Sequence, residues 1–122
     1  MKLTEIIKIV EGTSFEDSSL DLEIKGCCGA DLMSDVLAST QPDGILLTGL
    51  CNPQVVRTAQ MADLRAVIFV RGKKPQHETI DLAKAENIPL ISSPFGMFEL
   101  CGRLYKAGLP SLERNMLASG DD

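Results

Sequence analysis

The sequence predicts an α/β protein with a mainly parallel or mixed sheet of about four to five strands, flanked by helices. Short, continuous apolar runs at residues 45–48, 66–70 and 89–91 are typical of strands buried on both faces of a parallel sheet. Each run is followed by a segment whose apolar residues have helical spacing, so strand and helix alternate along the chain. Such strand–helix–strand units place their strands side by side with right-handed crossovers.

The N-terminal part of the chain predicts a helix, a loop and a strand. The apolar residues that share one helical face are Leu3, Ile6, Ile7 and Val10. Thr4 is the predicted N-cap of this helix and Gly12 the predicted C-cap. Residues 12–19 are polar and predict a loop with a short strand near residues 14–15. Residues 20–24 alternate between apolar and charged, which predicts a half-exposed strand near a sheet edge.

A turn, a short helix and a second turn follow. Residues 26–30 (GCCGA) form the first predicted turn, and Asp31 is the predicted N-cap of the helix. Residues 41–44 (QPDG) form the second turn. The side chains of this helix that are expected to face inward are Leu32, Met33, Val36 and Leu37.

The first two buried strands each lead into a predicted helix. Asn52 is the N-cap of the helix after residues 45–48, and Pro53 occupies its first position. A loop over residues 71–75 separates the second buried strand from a helix over residues 76–85.

The last buried strand is expected to enter its helix in the same way. Ser93 is the predicted N-cap, Pro94 follows it, and the helix extends over residues 95–107 until Gly108 stops it. We expect residues 110–122 to be a C-terminal extension that is partly disordered, because the end of the chain is small and acidic.

Composition and charge exclude several classes of protein. A net charge of −5 over 122 residues argues against non-specific nucleic-acid binding, which needs a clustered basic field. No apolar run approaches the ~18 residues of a membrane span. Residues 1–11 mix Lys and Glu into their apolar pattern, unlike a secretory signal. We therefore expect a cytoplasmic protein without nucleic-acid or membrane partners, whose four cysteines are free thiols.

The carboxyl ends of the predicted strands indicate a candidate ligand site. Ligands of open α/β sheets bind beyond these ends, where helix N-termini supply free N–H groups and partial positive charge. Cations next to such N-termini predict a site for a small phosphate-bearing anion. Asp31 joins this edge if residues 20–24 run parallel to the other strands. The candidate ligand-binding residues are Asp31, Thr48, Gly49, Asn52, Arg71, Gly72, Lys73 and Ser93.

No catalytic motif accompanies this edge. The sequence lacks a Walker A loop, a G-x-G-x-x-G fingerprint and a G-x-S-x-G elbow. The single histidine, His77, begins a polar helical face and is predicted to be a surface residue rather than a general base. Because the cysteines have no C-x-x-C spacing, we predict no metal. Because no catalytic constellation is recognisable, we predict no cofactor and no enzymatic activity.

Alternative interpretations of these residues stay open. The cations can be solvated loop residues, with Asn52 and Ser93 only capping helices. A small phosphoryl- or acyl-transfer enzyme could use the same crevice, with the candidate set Asp31, Asn52, Arg71 and Ser93. A thiol or metal redox protein could bring together Cys27 or Cys28 and Cys51 at the strand ends, where a helix N-terminus would favour thiolate.

Four blocks of the sequence occur in an order and spacing that resemble stand-alone DRTGG-domain proteins. They are residues 29–37 (GADLMSDVL), residues 47–49 (LTG) with Asn52, residues 66–75 (AVIFVRGKKP) and residues 88–93 (IPLISS). The resemblance covers about residues 1–109, which it identifies as one DRTGG-like α/β domain.

This resemblance implies an α/β fold similar to the N-terminal domain of HPr kinase/phosphorylase and to modules of some phosphotransacetylases and CBS-containing pyrophosphatases. It implies a non-catalytic regulatory domain, a homodimer, and an accessory role beside redox enzymes of anaerobic, hydrogenase-type metabolism. The chain departs from the family motif at residues 48–53 (TGLCNP), which lack the Asp-Arg-Thr run, and at Arg71-Gly72, where the glycine pair is reduced. The P-loop of the kinase is absent, so kinase activity is not implied.

Overall fold

The structure is a computed structural model that describes residues 1–15 and 20–115. The strands in this part of the chain are β1 (Thr13–Ser14), β2 (Cys27–Gly29), β3 (Ile45–Thr48), β4 (Ala66–Phe69) and β5 (Leu90–Ser92). The helices are α1 (Leu3–Ile9), α2 (Met33–Ser39), α3 (Pro53–Met61), α4 (His77–Glu86) and α5 (Met97–Lys106). No helix among these residues is long and apolar enough to cross a membrane.

The strands form one sheet in the order β1-β5-β4-β3-β2. The strands β2 to β5 are parallel neighbours, and β1 pairs antiparallel with β5. This mixed, mostly parallel sheet flanked by helices confirms the predicted fold class.

Helices cover both faces of the sheet because the central strands are apolar at consecutive positions. Ile45 and Leu47 of β3 pack into the core on the face covered by α1 and α5. Leu46, between them, packs into the core on the face covered by α2, α3 and α4. All four residues of β3 and of β4 are buried, as the continuous apolar runs predicted.

The predicted strand over residues 20–24 does not form. The segment makes only a single antiparallel bridge, between Lys2 and Glu23. It lies beside the start of α1, where Leu22 accepts a hydrogen bond from the backbone of Leu3 at 2.8 Å. Burial of Ile24, and partial burial of the other apolar residues of the segment, against the α1 side of the core explains the alternation. The alternation of apolar and charged residues therefore reflects the burial of one side of this segment, which does not pair into the sheet.

The edge strand β2 forms where the sequence predicted a turn. Cys27 pairs in register with Ile45 of β3, which makes β2 a parallel strand. On its other side, the backbone N–H of Cys27 donates to Pro110 at 2.9 Å, and its carbonyl accepts from Leu112 at 2.9 Å. We call residues 110–113 the C-terminal strap. The strap is the first part of the predicted extension; residues 116–122, to which the prediction of disorder chiefly applies, lie outside the described residues.

The predicted helix caps have mixed outcomes. Asn52 caps α3 as predicted, since its side chain accepts a hydrogen bond from Gln54 N and Pro53 follows it. Asp31 is not a cap, because α2 begins one residue later than expected, with Leu32 at its N-cap position. Ser93 is not a cap either, since α5 starts at Met97.

Three further details of the helices differ from the prediction. Thr4 lies inside α1, whose N-cap is Lys2, and the C-cap of α1 is Val10 rather than Gly12. Leu32 and Leu37, expected to face inward, are 61% and 46% exposed. The short helix α2 contributes only Met33 and Val36 to the core.

Candidate functional site

The candidate residues lie in the loops that follow the parallel strands at one edge of the sheet. Because β2, β3, β4 and β5 are parallel neighbours, their carboxyl ends meet there. Asp31 joins this edge as predicted, although the parallel strand that brings it there is β2 and not residues 20–24. The structure thus gathers the predicted residues at one edge, with different degrees of exposure.

Asp31, Thr48 and Gly49 bind one another. The hydroxyl of Thr48 donates to Asp31 Oδ1 at 3.0 Å, and the backbone N–H of Gly49 donates to the same oxygen at 2.8 Å. The Thr48 hydroxyl also accepts from Leu50 N at 3.2 Å, which satisfies a side chain that is fully buried. The Asp31 carboxylate therefore joins the loop after β2 to the loop after β3.

Lys73 reaches this cluster from the neighbouring loop. Its Nζ donates to the carbonyl oxygen of Gly49 at 3.3 Å. A Cβ at residue 49 would lie 3.3 Å from that Nζ and 3.6 Å from Asp31 Oδ1. The absence of a side chain on Gly49 therefore leaves room for the ammonium group beside the Asp31 carboxylate.

The loop after β4 is a tight turn held against the exit of β5. Arg71 and Gly72 have left-handed backbone angles, with φ of 60° and 66°. The N–H of Arg71 donates to Phe95 and that of Gly72 to Ser93, each at 2.7 Å. Lys73 N donates to Val70 at 3.1 Å and closes the turn. Backbone bonds thus fix the turn, while the Arg71 and Lys73 side chains are exposed.

The side chains of Ser93 and Asn52 are engaged in hydrogen bonds within the protein. Ser93 is fully buried; its hydroxyl donates to the carbonyl of Val10 at 2.7 Å and accepts from Phe95 N at 3.3 Å. The Asn52 Oδ1 accepts from Gln54 N at 3.1 Å. The set suggested for a transfer enzyme therefore offers no exposed hydroxyl nucleophile, since its serine faces the interior.

The chain changes faces between β4 and β5. The helices that follow β2, β3 and β4 pack on one face of the sheet, whereas α5, which follows β5, packs on the other. Beyond these loops the chain therefore leads to opposite faces of the sheet, and such a point is where open α/β sheets form a ligand crevice. The sequence could not reveal this point, because the face that each helix covers is set by packing.

A cavity of about 450 Å³ opens at this divergence. It is lined by Glu11, Thr13, Phe15, Gly72, Lys74, Ser92 and Pro94. Glu11, its acidic residue, lies 3.7 Å from Arg103, which offsets its charge. We call this cavity and the exposed Arg71–Lys74 side chains the basic crevice.

A second cavity, of about 390 Å³, lies between the β2 edge and α5. Its lining is mainly apolar. The sequence did not predict this cavity, because its walls depend on how the strap and α5 pack against β2. The residues that line it are Cys27, Cys28, Gly29, Leu47, Phe98, Cys101, Gly102, Tyr105, Leu109, Ser111 and Glu113. We call it the aromatic cavity, after the two aromatic residues in its lining.

The cysteines are free thiols, as predicted, and all are held in their protonated form. Burial raises the pKa of Cys27 from its ordinary 9.0 to about 12, with further contributions from Cys101, Cys28 and Glu113. Burial likewise raises the pKa of Cys28, Cys101 and Cys51, and for Cys51 the ammonium of Lys73 only partly opposes it. The expectation that a helix N-terminus would favour thiolate here is therefore wrong. Within residues 1–15 and 20–115, no cluster of three or more His, Cys, Asp or Glu side chains could hold a metal ion.

Comparison with known proteins shows a shared fold without a sequence match. No model of a known protein family and no curated protein matches the sequence. A solved structure shares the fold, namely the CBS and DRTGG domains of the regulatory region of a Clostridium perfringens pyrophosphatase, complexed with the activator diadenosine tetraphosphate. The TM-score is 0.66 at 20% sequence identity, and the match covers 89% of this chain.

The match covers 47% of that regulatory region, so this chain spans about half of its length. At this identity the likeness concerns the fold, and it confirms the predicted DRTGG-type architecture. The similarity to HPr kinase/phosphorylase stays a prediction.

Proposed function

We propose that this chain is a non-catalytic regulatory module that binds a small phosphate-bearing anion at the basic crevice. The observation that carries this proposal is the coincidence of three features at one place. The chain changes faces between β4 and β5, a cavity opens there, and the loop beside it carries Arg71, Lys73 and Lys74. Open α/β sheets bind ligands at such divergences.

The charges at the crevice favour an anion. The chain carries a net charge of −5, yet three cations fall within four consecutive residues of this loop. In the described part of the chain, none of them lies within 4.0 Å of a carboxylate oxygen. Gly72 and Lys74 line the cavity itself, and the exposed Arg71 and Lys73 belong to the same loop. These cations can pair with phosphate oxygens, and Gly72 lets the ligand approach the backbone.

We assign the predicted ligand-binding residues to two roles. Arg71, Gly72 and Lys73 contact the ligand directly. The others, Asp31, Thr48, Gly49, Asn52 and Ser93, hold the loops in place through the hydrogen bonds described above. The Asp31 carboxylate stays bonded to Gly49 N and to the Thr48 hydroxyl.

The regulatory role is proposed from the fold. The pyrophosphatase region that shares this fold is regulatory and was solved with a dinucleoside tetraphosphate activator. A non-catalytic role agrees with the burial of Ser93 and with the local engagement of Asp31. The homodimer and the redox-enzyme partner implied by the family resemblance, and the cytoplasmic location expected from the sequence, belong to the same proposal.

Thermal unfolding with inorganic tripolyphosphate tests the anion site. A ligand of the native state present at 100 times its Kd stabilises by about 2.7 kcal/mol, so we expect Tm to rise with tripolyphosphate concentration. The double variant Arg71→Gly/Lys73→Gln should weaken binding about tenfold or more, since each charge-assisted hydrogen bond contributes about 1.5–3 kcal/mol. Glycine suits the left-handed backbone at residue 71, so this variant keeps the turn.

The matched control is Arg57→Gln/Lys84→Gln, which removes two exposed cations from α3 and α4. This control should bind tripolyphosphate like the wild type. A wild-type Tm that does not respond to tripolyphosphate, or an equal response in the crevice variant, would contradict the proposal.

A further inference from the structure

The exposed aromatic residues of the chain are concentrated on one helix. The sequence has four Phe and one Tyr, and no Trp. Phe69 is fully buried, and Phe15 and Phe95 pack against the core. By contrast, Phe98 is 93% exposed and Tyr105 is 74% exposed, and both belong to α5 and line the aromatic cavity. Large apolar groups grouped around one cavity on a protein surface indicate a binding site.

The spacing on α5 puts a gap between the two rings. Residues 98, 102 and 105 are separated by four and three positions, so they lie on the same face of the helix. A Cβ placed at Gly102 would meet nothing within 4 Å. Glycine thus leaves an open slot between Phe98 and Tyr105, with Leu47, Cys101 and Leu109 below it.

The rim of the slot carries hydrogen-bonding groups from the C-terminal strap. Glu113 Oε2 accepts from Gly29 N at 2.9 Å, which holds this carboxylate at the cavity. Ser111 Oγ accepts from Glu113 N at 3.0 Å and also lines the cavity. A carboxylate and a hydroxyl can both accept from an amino group or ring N–H at the edge of a planar heterocycle.

We infer that the aromatic cavity binds the planar base of a nucleoside phosphate, with the base between Phe98 and Tyr105 and its amino edge toward Glu113. The cavity has the size of a small-ligand site, and stacking on aromatic rings is the usual way in which proteins hold bases. This inference rests on the proposed function for the phosphate end of the ligand.

The start of α5 connects the two ends of such a ligand. A Cβ at Gly96, the N-cap of α5, would lie 3.6 Å from Arg71 Nε. Phe98, two residues further, already lines the aromatic cavity. The first turn of α5 therefore lies between the Arg71 guanidinium and the aromatic cavity.

Tyrosine fluorescence provides a local readout, because Tyr105 is the only tyrosine and tryptophan is absent. Adenosine, which has a base and no phosphate, should quench Tyr105 emission in a saturable way, and ATP should do so at lower concentration. Tripolyphosphate should raise Tm without quenching. Absorption by the nucleotide is corrected with N-acetyltyrosinamide under the same conditions.

Gly102→Leu tests the slot without weakening the fold. Leucine is a better helix former than glycine, and its Cβ would meet nothing within 4 Å, so Tm should stay equal or rise. The Kd for adenosine should increase by about tenfold or more, because the leucine fills the place of the base. Phe98→Ala should act in the same direction, whereas Leu37→Ala, an exposed apolar residue on α2, should bind like the wild type.

The failures of the two proposals are distinguishable. Adenosine without effect on Tyr105 emission, or with equal affinity in Gly102→Leu, would overturn the base site. If tripolyphosphate still raises Tm in that case, the anion site at the basic crevice is supported and only the base site is rejected. Quenching by adenosine that Gly102→Leu removes, with no Tm response to tripolyphosphate, would support the base site and overturn the phosphate site.

Discussion

The centre of the sheet and its β2 edge form in different ways. In β3 and β4 every residue is buried, and the apolar runs are recognisable in the sequence. The edge strand β2 consists of Cys27, Cys28 and Gly29, which look like a turn, and it is paired on one side by β3 and on the other by the strap. Local composition is therefore sufficient for a central strand, whereas an edge strand can depend on partners distant in sequence.

The same contrast places the candidate sites at the margins. The residues of the central strands are buried, so they contribute mainly a rigid base, with Leu47 at the floor of the aromatic cavity and Thr48 bonded to Asp31. The basic crevice is built on loops, and the aromatic cavity is built on β2, α5 and the strap. Binding at either cavity is positioned by the rigid centre, as is general for loops on an α/β scaffold.

The largest expected effect is at the centre of the sheet. Phe69→Ala should lower the free energy of unfolding by about 3–5 kcal/mol, since it removes a fully buried ring and leaves a cavity. Urea unfolding monitored by circular dichroism measures this loss. Phe98→Ala, the same change at a 93% exposed position, should stay within about 0.5 kcal/mol. Similar losses of unfolding free energy in both variants would contradict the distinction between the buried centre of the sheet and the exposed residues around the cavities.

A smaller effect is expected where the strap contacts the edge. In Gly26→Ala the new Cβ would lie 2.5 Å from the carbonyl oxygen of Pro110 and 2.7 Å from Leu112 Cγ. The strap must move, so we expect a loss of about 1–3 kcal/mol in urea unfolding and faster amide exchange at Cys27 and Leu112. The control is Gly102→Ala, whose Cβ enters open space and should stabilise α5 by about 0.5–1 kcal/mol. Unchanged exchange at Cys27 in Gly26→Ala would show that the strap does not support β2.

The last expected effect, which is absent at neutral pH, is a pH dependence of the edge. The pKa of Cys27 is raised by burial to about 12, so the native state holds its proton more tightly than the unfolded chain does. Its stabilising contribution is complete below the ordinary thiol pKa near 9 and is lost as pH rises toward 12. The steepest loss is about 1.4 kcal/mol per pH unit. In Cys27→Ala, the free energy of unfolding should therefore decrease less steeply with pH above pH 9 than in the wild type. Equal slopes in the variant and the wild type would mean that the thiol is not buried at this edge.

The structure places the candidate residues at the carboxyl edge of the sheet, but several of them make hydrogen bonds other than those predicted, and their ligand-binding role stays a prediction. Arg71, Gly72 and Lys73 could be placed at the carboxyl edge because a glycine-containing loop follows a buried strand. Asp31 was expected to cap α2 and instead bonds to Gly49 and Thr48, since short acidic side chains satisfy whichever donors the fold brings near. Ser93 preceded a proline like a helix cap, yet packing turned its hydroxyl inward to Val10.

The sequence by itself determined the class of fold, because strand and helix periodicities and the Asn52 cap are local properties of the chain. It also determined that three cations follow one buried strand. The tertiary structure alone decided that α5 crosses to the other face, that the strap completes the β2 edge, and that Phe98 and Tyr105 flank one cavity. These features arise from packing between segments far apart in sequence, and no local pattern encodes which surfaces will meet.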